Sequence, residues 1–104
     1  MATFRVKFNP TAQRDLREIT RWYDDQSTEA GDRFFDAVRL AVDKLQADPE
    51  RYARLEKRPA YRKMKMAKYP YSVYFKTYPA SLEVLIVSIF HEKRNPQTLL
   101  RRLK

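Results

Sequence analysis

The sequence predicts a single α+β domain over residues 1–104, with the element order β-α-α-β-β-β. Thr3–Phe8 alternates apolar and polar residues, which is the period of a half-buried strand. The stretch that follows places apolar residues three and four apart, as in two amphipathic helices. The second half holds three strand-like segments separated by short turns that contain proline. We therefore expect an antiparallel twisted sheet with a helical hairpin packed on one face.

The first helix is predicted from Thr11 to about Gln26. Asn9 is a favoured N-cap residue, and Pro10 suits the first helical position because its missing N–H needs no partner there. The charged residues lie away from one apolar stripe, which would face the sheet. This stripe consists of Ala12, Leu16, Ile19 and Tyr23.

The second helix is predicted after a short polar break, with Ser27 or Thr28 as its N-cap, and it runs to about Asp48. The shortness of the break favours an antiparallel helical hairpin. Gly31 lowers the stability of a helix, so its presence predicts a close approach of the two helices. The apolar stripe of this helix consists of Phe34, Val38, Ala41, Val42 and Leu45.

Three strands are predicted in the second half: Ala60–Lys68, Tyr71–Tyr78 and Leu82–Phe90. The last of them is almost continuously apolar, which is typical of a strand buried on both faces in the middle of a sheet. The three should form an antiparallel meander, and the first strand of the chain should join the same sheet. The remaining segment, Gln97–Lys104, is expected to be a short basic helix or an extension.

Composition excludes several classes of site. The chain has no cysteine and one histidine, so one copy has neither a thiolate zinc site nor a two-histidine metal site. A single glycine excludes a P-loop and the glycine-rich dinucleotide fingerprint. We therefore expect no cofactor and no metal. No apolar run has membrane-span length, and Met1–Pro10 lacks the apolar core of a signal peptide, so we expect a cytoplasmic protein with no membrane partner.

Positive charge is concentrated in the second half of the chain. The net charge is +9, and residues 1–49 carry eight Lys and Arg against nine Asp and Glu, whereas residues 50–104 carry fourteen against four. This distribution favours a nearly neutral scaffold with one surface that faces an anionic partner. The alternative is a basic surface that only aids solubility.

Two lysines form the first candidate site. Lys63 and Lys65 are two residues apart on a predicted strand, which places them about 7 Å apart on one face. Met64 and Met66 then point into the core. Adjacent ammonium groups favour an anion, so the pair is a candidate phosphate or carboxylate clamp. The alternative is the solvated face of an edge strand, where lysines oppose aggregation.

The residues that follow the buried strand form the second candidate site. His91 has the chemistry of a general acid or base near neutral pH, and Glu92 could orient it or act as the base. Arg94 could hold a phosphate in bidentate fashion. The alternatives are a structural histidine and an arginine that caps a helix or pairs with an acid.

The chain resembles the RelE/ParE superfamily of bacterial type II toxins over nearly its whole length. The resemblance rests on the segments FNPTAQRDLREITRWY, YPYSVYF and VLIVSIFHEKRNP, together with their order and spacing. It implies a toxin that inhibits growth and is neutralised by an antitoxin encoded beside it. The resemblance also implies that an acidic antitoxin segment, extended or helical, wraps across the basic toxin.

The superfamily divides by target. RelE-like members cleave mRNA in the ribosomal A site without a metal, whereas ParE-like members bind DNA gyrase and block replication. Lys63 and Lys65 match the basic pair of the RelE-like second strand. Ser72 stands where the arginine of the third strand is expected, and no tyrosine follows Tyr78 to match the usual catalytic one. His91 and Glu92 could replace it.

A long hairpin and the HEKRNP segment are similar to ParE-like members. The resemblance therefore favours a toxin that binds gyrase and is not a nuclease. One alternative is a ribosome-dependent mRNA endonuclease whose partners are the ribosome and mRNA, with Lys63, Lys65, His91 and Glu92 as catalytic residues. Another is an inactive or differently targeted relative. The expected target-binding residues are Arg62, Lys63, Lys65, His91, Arg94, Arg101 and Arg102.

Overall fold

The computed structural model describes residues 3–103, so Lys104 of the predicted C-terminal extension lies outside the described residues. The elements are β1 (Arg5–Phe8), α1 (Pro10–Gln26), α2 (Thr28–Ala47), β2 (Arg62–Lys65), β3 (Tyr71–Tyr78), β4 (Glu83–His91) and α3 (Pro96–Arg102). Short 3-10 turns at Pro49–Arg51 and Pro79–Ser81 precede β2 and β4. The α+β class and the predicted β-α-α-β-β-β order are confirmed, and α3 forms where a helix or an extension was expected.

The four strands form one sheet in the order β1-β4-β3-β2. The strands β2, β3 and β4 make the predicted antiparallel meander. The expectation of a wholly antiparallel sheet is corrected at one pair, because β1 runs parallel to β4. The end of α2 lies beside the start of β1, where the Phe4 N–H donates to the Gln46 carbonyl at 2.9 Å.

Both helices begin at the predicted caps. The Asn9 side chain accepts a hydrogen bond from the Ala12 N–H at 2.8 Å, and Ser27 accepts one from the Ala30 N–H at 3.0 Å. Gly31 is buried at the helical crossing, and a methyl group there would overlap the Asp24 carboxylate of α1. The predicted close approach of the two helices is therefore confirmed.

The sheet is covered on both faces. The hairpin covers one face with a large core that includes Phe34, Leu45, Phe75, Val84 and Ile86. Alternate residues of the strands point to the opposite face, where α3 contributes to a second, smaller cluster. This cluster consists of Tyr61, Tyr74, Val87, Phe90, Leu99 and Leu103. The segment between β4 and α3 is thereby held over the face of the sheet that the hairpin leaves open.

Candidate functional site

The two lysines of β2 lie on the sheet face that is opposite the hairpin. In β2 the side chains of Lys63 and Lys65 are exposed, whereas Met64 is buried in the core beneath the hairpin. The predicted alternation is confirmed. Across the sheet, Lys63 pairs with Tyr74 and Lys65 with Ser72. The strand pairing thus aligns the lysines with the end of β4, where the second candidate site begins.

A pocket of about 350 Å³ opens beside Lys63. We call it the β2–α3 pocket. It lies between β2, β3, the end of β4 and α3, with charged residues at its rim and apolar side chains within it. Its lining residues are Lys63, Tyr74, Phe90, His91, Glu92, Arg94, Pro96 and Leu99. The two candidate sites predicted from the sequence are therefore one surface.

Glu92 forms an ion pair with Lys65. The pKa of Glu92 is lowered mainly by the hydrogen bond from Lys65. The positive charges of Lys65, Lys63 and His91 lower this pKa further. The carboxylate is therefore ionised at neutral pH, when it can accept hydrogen bonds but not donate a proton. It also offsets the charge of one of the two β2 lysines.

The imidazole of His91 is held by two neighbours. Its Nδ1 accepts a hydrogen bond from the Lys93 N–H at 3.0 Å, and its ring meets the Tyr71 ring edge-to-face at 5.0 Å between centroids. Because Nδ1 uses its lone pair in this way, the neutral ring carries its proton on Nε2. In this arrangement Nε2 can donate a hydrogen bond but cannot accept a proton from a substrate.

Arg94 lies over an aromatic side chain at the pocket. Its guanidinium carbon is 4.9 Å from the centre of the Phe90 ring, and the side chain is exposed. Stacking of this kind orients the planar guanidinium while its N–H groups remain open to an anionic partner.

The pKa of Tyr74, which also lines the pocket, is raised mainly by burial. The negative charge of Glu92 raises this pKa further, so the Tyr74 phenol stays protonated.

Two of the predicted target-binding arginines are engaged within the chain. Arg62 is buried and donates to the carbonyls of Glu50 and Tyr52 at 3.0 and 2.7 Å, so it anchors the segment before β2. Arg102 forms an ion pair with Asp15 at 2.9 Å. Arg101 is exposed on α3. The structure thus brings Lys63, Lys65, His91 and Arg94 to one surface, and it gives Arg62 and Arg102 internal partners.

The aromatic part of the pocket was not predicted from the sequence. The sequence places Phe90 at the end of a buried strand and Tyr74 in the strand before it, without a place for either beside the lysines. Leu99 carries no signal for a site. Ser72, which stands where an arginine was expected, is buried, and its hydroxyl has no hydrogen-bond partner among residues 3–103. No cation therefore comes from that position of β3.

Within residues 3–103 no group of three or more His, Asp or Glu side chains is arranged to hold a metal ion. No helix of this part of the chain is long and apolar enough to cross a membrane.

The family model of the ParE toxin of the type II toxin–antitoxin system parDE matches residues 6–96. No curated protein matches the chain.

Solved structures match the fold over most of its length. A chain of the chromosomal ParDE system of P. aeruginosa superimposes with a TM-score of 0.73 and 21% identity, covering 86% of this chain and 96% of that one. A chain of the RelBE2 toxin–antitoxin complex of Mycobacterium tuberculosis gives 0.67 and 19%, covering 86% and 99%. The isolated RelE toxin of E. coli gives 0.62 and 17%, covering 99% and 100%. At these identities the likeness shows a shared fold.

Proposed function

We propose that this chain, which belongs to the ParE toxin family of type II toxin–antitoxin systems, inhibits growth by binding DNA gyrase and not by cleaving RNA. A cognate antitoxin neutralises it. The match to the ParE family supports this target, because ParE-like toxins are the gyrase-binding members of the superfamily. The named systems among the structural neighbours, ParDE and RelBE2, each pair a toxin with an antitoxin.

The observation that carries the proposal is the ion pair between Lys65 and Glu92. RNA cleavage without a metal needs a base for the 2′-hydroxyl, cations for the phosphorane and an acid for the leaving oxygen. Glu92 is ionised and its pKa is lowered, so it is a weak base and has no proton to give. Lys65 is paired with the Glu92 carboxylate, so an RNA phosphate would have to displace that carboxylate to bind this lysine.

The remaining groups of the pocket do not complete an acid–base couple. His91 uses Nδ1 to accept from the Lys93 N–H, and in its neutral form Nε2 holds the proton. Ser72 supplies no cation from β3. What the surface does offer is a set of exposed cations around an apolar floor, with Lys63 and Arg94 at the rim. Such a surface suits an acidic protein partner.

One observation favours a second function, ribosome-dependent cleavage of mRNA. Lys63, His91 and Arg94 line a single pocket, as the residues of a small active site would. Tyr74 adds a protonated phenol to the same pocket. For this function Glu92 would have to leave Lys65 when RNA binds.

Two assays on one preparation distinguish the functions. Purified toxin is added to a gyrase supercoiling reaction and to ribosomes that are translating a defined mRNA. We expect inhibition of supercoiling and an intact mRNA, with supercoiling restored by the antitoxin. Cleavage of the mRNA together with unaffected supercoiling would overturn the proposal. Lys63→Glu and Arg94→Glu should weaken inhibition, whereas Arg17→Glu, at an exposed position of α1, is the matched control.

A further inference from the structure

The residues before β2 form a loop along the outer edge of the sheet. We call residues 53–61 the edge loop. The Lys63 N–H of β2 donates to the Ala53 carbonyl at 3.2 Å, which joins the start of the loop to the strand. The loop also closes on itself, because the Leu55 N–H donates to the Tyr61 carbonyl and the Tyr61 N–H donates to the Arg58 carbonyl, both at 2.9 Å. Backbone hydrogen bonds therefore fix the edge loop beside β2.

Two further contacts join the edge loop to α3 and β3. The Arg58 Nε donates to the Leu103 carbonyl at 3.0 Å, which places this arginine at the end of α3. The Lys76 Nζ of β3 lies 4.8 Å from the centre of the Tyr61 ring. Arg101 is exposed in the last turn of α3. These elements form one surface, which we call the loop–α3 surface. Its cations are Arg54, Lys57, Arg58, Lys76 and Arg101.

Positive charge dominates the loop–α3 surface. Glu56 is the one acidic residue of the edge loop, and α3 contains none. Among residues 3–103, none of the five cations forms an ion pair. None of them lines the β2–α3 pocket either. The charge of this surface is therefore available to an anionic partner that lies beside the pocket and not within it.

The chemistry of the loop–α3 surface favours DNA over a protein partner. The centre of a protein interface is rich in exposed apolar and aromatic side chains. Within residues 3–103 the large apolar side chains that are exposed belong to the hairpin and the turn between β3 and β4, and none belongs to the edge loop or α3. Beneath the cations, Tyr61 and Leu103 are buried. A phosphate backbone can be bound without apolar contacts, by cations that neutralise its charge.

The same burial favours a duplex over a single strand. Proteins that bind single-stranded nucleic acids stack the bases on exposed aromatic side chains. Tyr61 lies under Lys76, and Tyr61 and Tyr74 are each 7% exposed, so neither ring presents a free face to a base. The surface instead presents positive charge at several points, which suits the dense and regular phosphates of a double helix.

We infer that the loop–α3 surface binds the phosphate backbone of duplex DNA, and that this DNA is the segment that gyrase holds. The second part rests on the proposed function, which supplies gyrase as the target. Lys63 and Arg94 then contact the enzyme, while Lys57, Arg58 and Arg101 contact DNA that passes beside the toxin. Because protein and DNA hold the toxin together, it binds the gyrase–DNA complex more tightly than gyrase alone.

The first test is the binding of purified toxin to a fluorescent DNA duplex over a range of salt concentrations. We expect an affinity that does not depend on sequence and falls steeply as the salt concentration rises. Lys57→Gln and Arg101→Gln should each lower the affinity by about fivefold, and each should reduce the slope of log K against log salt by about 1. Arg17→Gln makes the same charge change on the exposed face of α1, and its affinity should stay within about twofold of the unchanged toxin. Circular dichroism establishes that each variant is folded.

Three results of this test would overturn the inference. The first is the absence of duplex binding at low salt. The second is an equal loss of affinity in Arg17→Gln, Lys57→Gln and Arg101→Gln, because net charge alone would then account for the binding. The third is tighter binding of a single-stranded RNA of the same length, because the surface would then be an RNA site.

A second assay separates this inference from the proposed function. It measures the binding of toxin to gyrase alone and to gyrase loaded with DNA. The double variant Lys57→Gln/Arg101→Gln should bind gyrase alone like the unchanged toxin but lose the gain that DNA gives, whereas Lys63→Glu should weaken both. A toxin that binds duplex DNA through this surface but leaves gyrase unaffected would overturn the proposed function and support the DNA surface. A toxin that inhibits gyrase and gains no affinity from DNA would do the reverse.

Discussion

Asp15 of α1 and Arg102 of α3 form an ion pair, with 2.9 Å between Oδ2 and Nη1, beside the part of β4 that β1 does not cover. The same carboxylate oxygen accepts the N–H of Ile89 at 3.0 Å and the hydroxyl of Ser88 at 3.3 Å. Asp15 is 5% exposed. The Asp15 carboxylate thus accepts a β4 N–H that would otherwise bond to a neighbouring strand. Through Arg102 it also holds α3 beside the β2–α3 pocket.

Removing this carboxylate should destabilise the protein strongly. Asp15→Ala leaves the Ile89 N–H without its acceptor and removes the carboxylate that pairs with the Arg102 guanidinium, so we expect a loss of about 3 kcal/mol in the free energy of unfolding. Urea denaturation measures it. Arg101→Ala, at an exposed position of α3 next to Arg102, should change stability by less than about 0.5 kcal/mol. Similar stabilities of the two variants would contradict the assigned role of the ion pair.

The ion pair of Glu92 should appear in its titration. Because Lys65 lowers the pKa of Glu92, the carboxylate should titrate below 4.5, the ordinary value. The pair therefore contributes above that ordinary value and is lost as the pH falls through the lowered pKa. An NMR titration of the Glu92 side chain measures the midpoint. Lys65→Gln should move it toward 4.5, and Lys63→Gln should move it less, because Lys63 acts through its charge alone. Equal shifts in the two variants would show that no specific pair exists.

The response of gyrase to single variants should be graded. If a surface binds the target, Lys63→Glu and Arg94→Glu should each weaken inhibition by about tenfold and should be nearly additive when combined. His91→Ala should have a smaller effect, because its ring is held against Tyr71. Supercoiling assays over a range of toxin concentrations measure these effects. Complete loss of activity in His91→Ala alone would point to a catalytic group.

The order of the elements was predictable because the local patterns are strong. Three signals each predict one kind of element: the alternation in β2, the Asn9-Pro10 start of α1 and the apolar run of β4. The direction of β1 was not predictable from its own residues. It depends on where the long hairpin returns the chain, which is seen in the contact between Phe4 and Gln46.

The charged residues of the site were predicted more readily than their partners. A lysine or an arginine can be read directly from the sequence, but the residues that bind its charged group can be distant along the chain. Arg102 is 87 positions from Asp15, and Lys65 is 27 positions from Glu92. No periodicity indicates such pairs. For this reason Arg62 and Arg102 were expected at the target surface, whereas both guanidinium groups bind within the chain.

The central claim is tested most directly by a DNA-cleavage assay with purified gyrase, plasmid and toxin. We predict that the toxin traps gyrase on cleaved DNA or blocks supercoiling, and that prior addition of the antitoxin prevents this. Folded toxin that leaves supercoiling and DNA cleavage by gyrase unchanged at every concentration would contradict the claim.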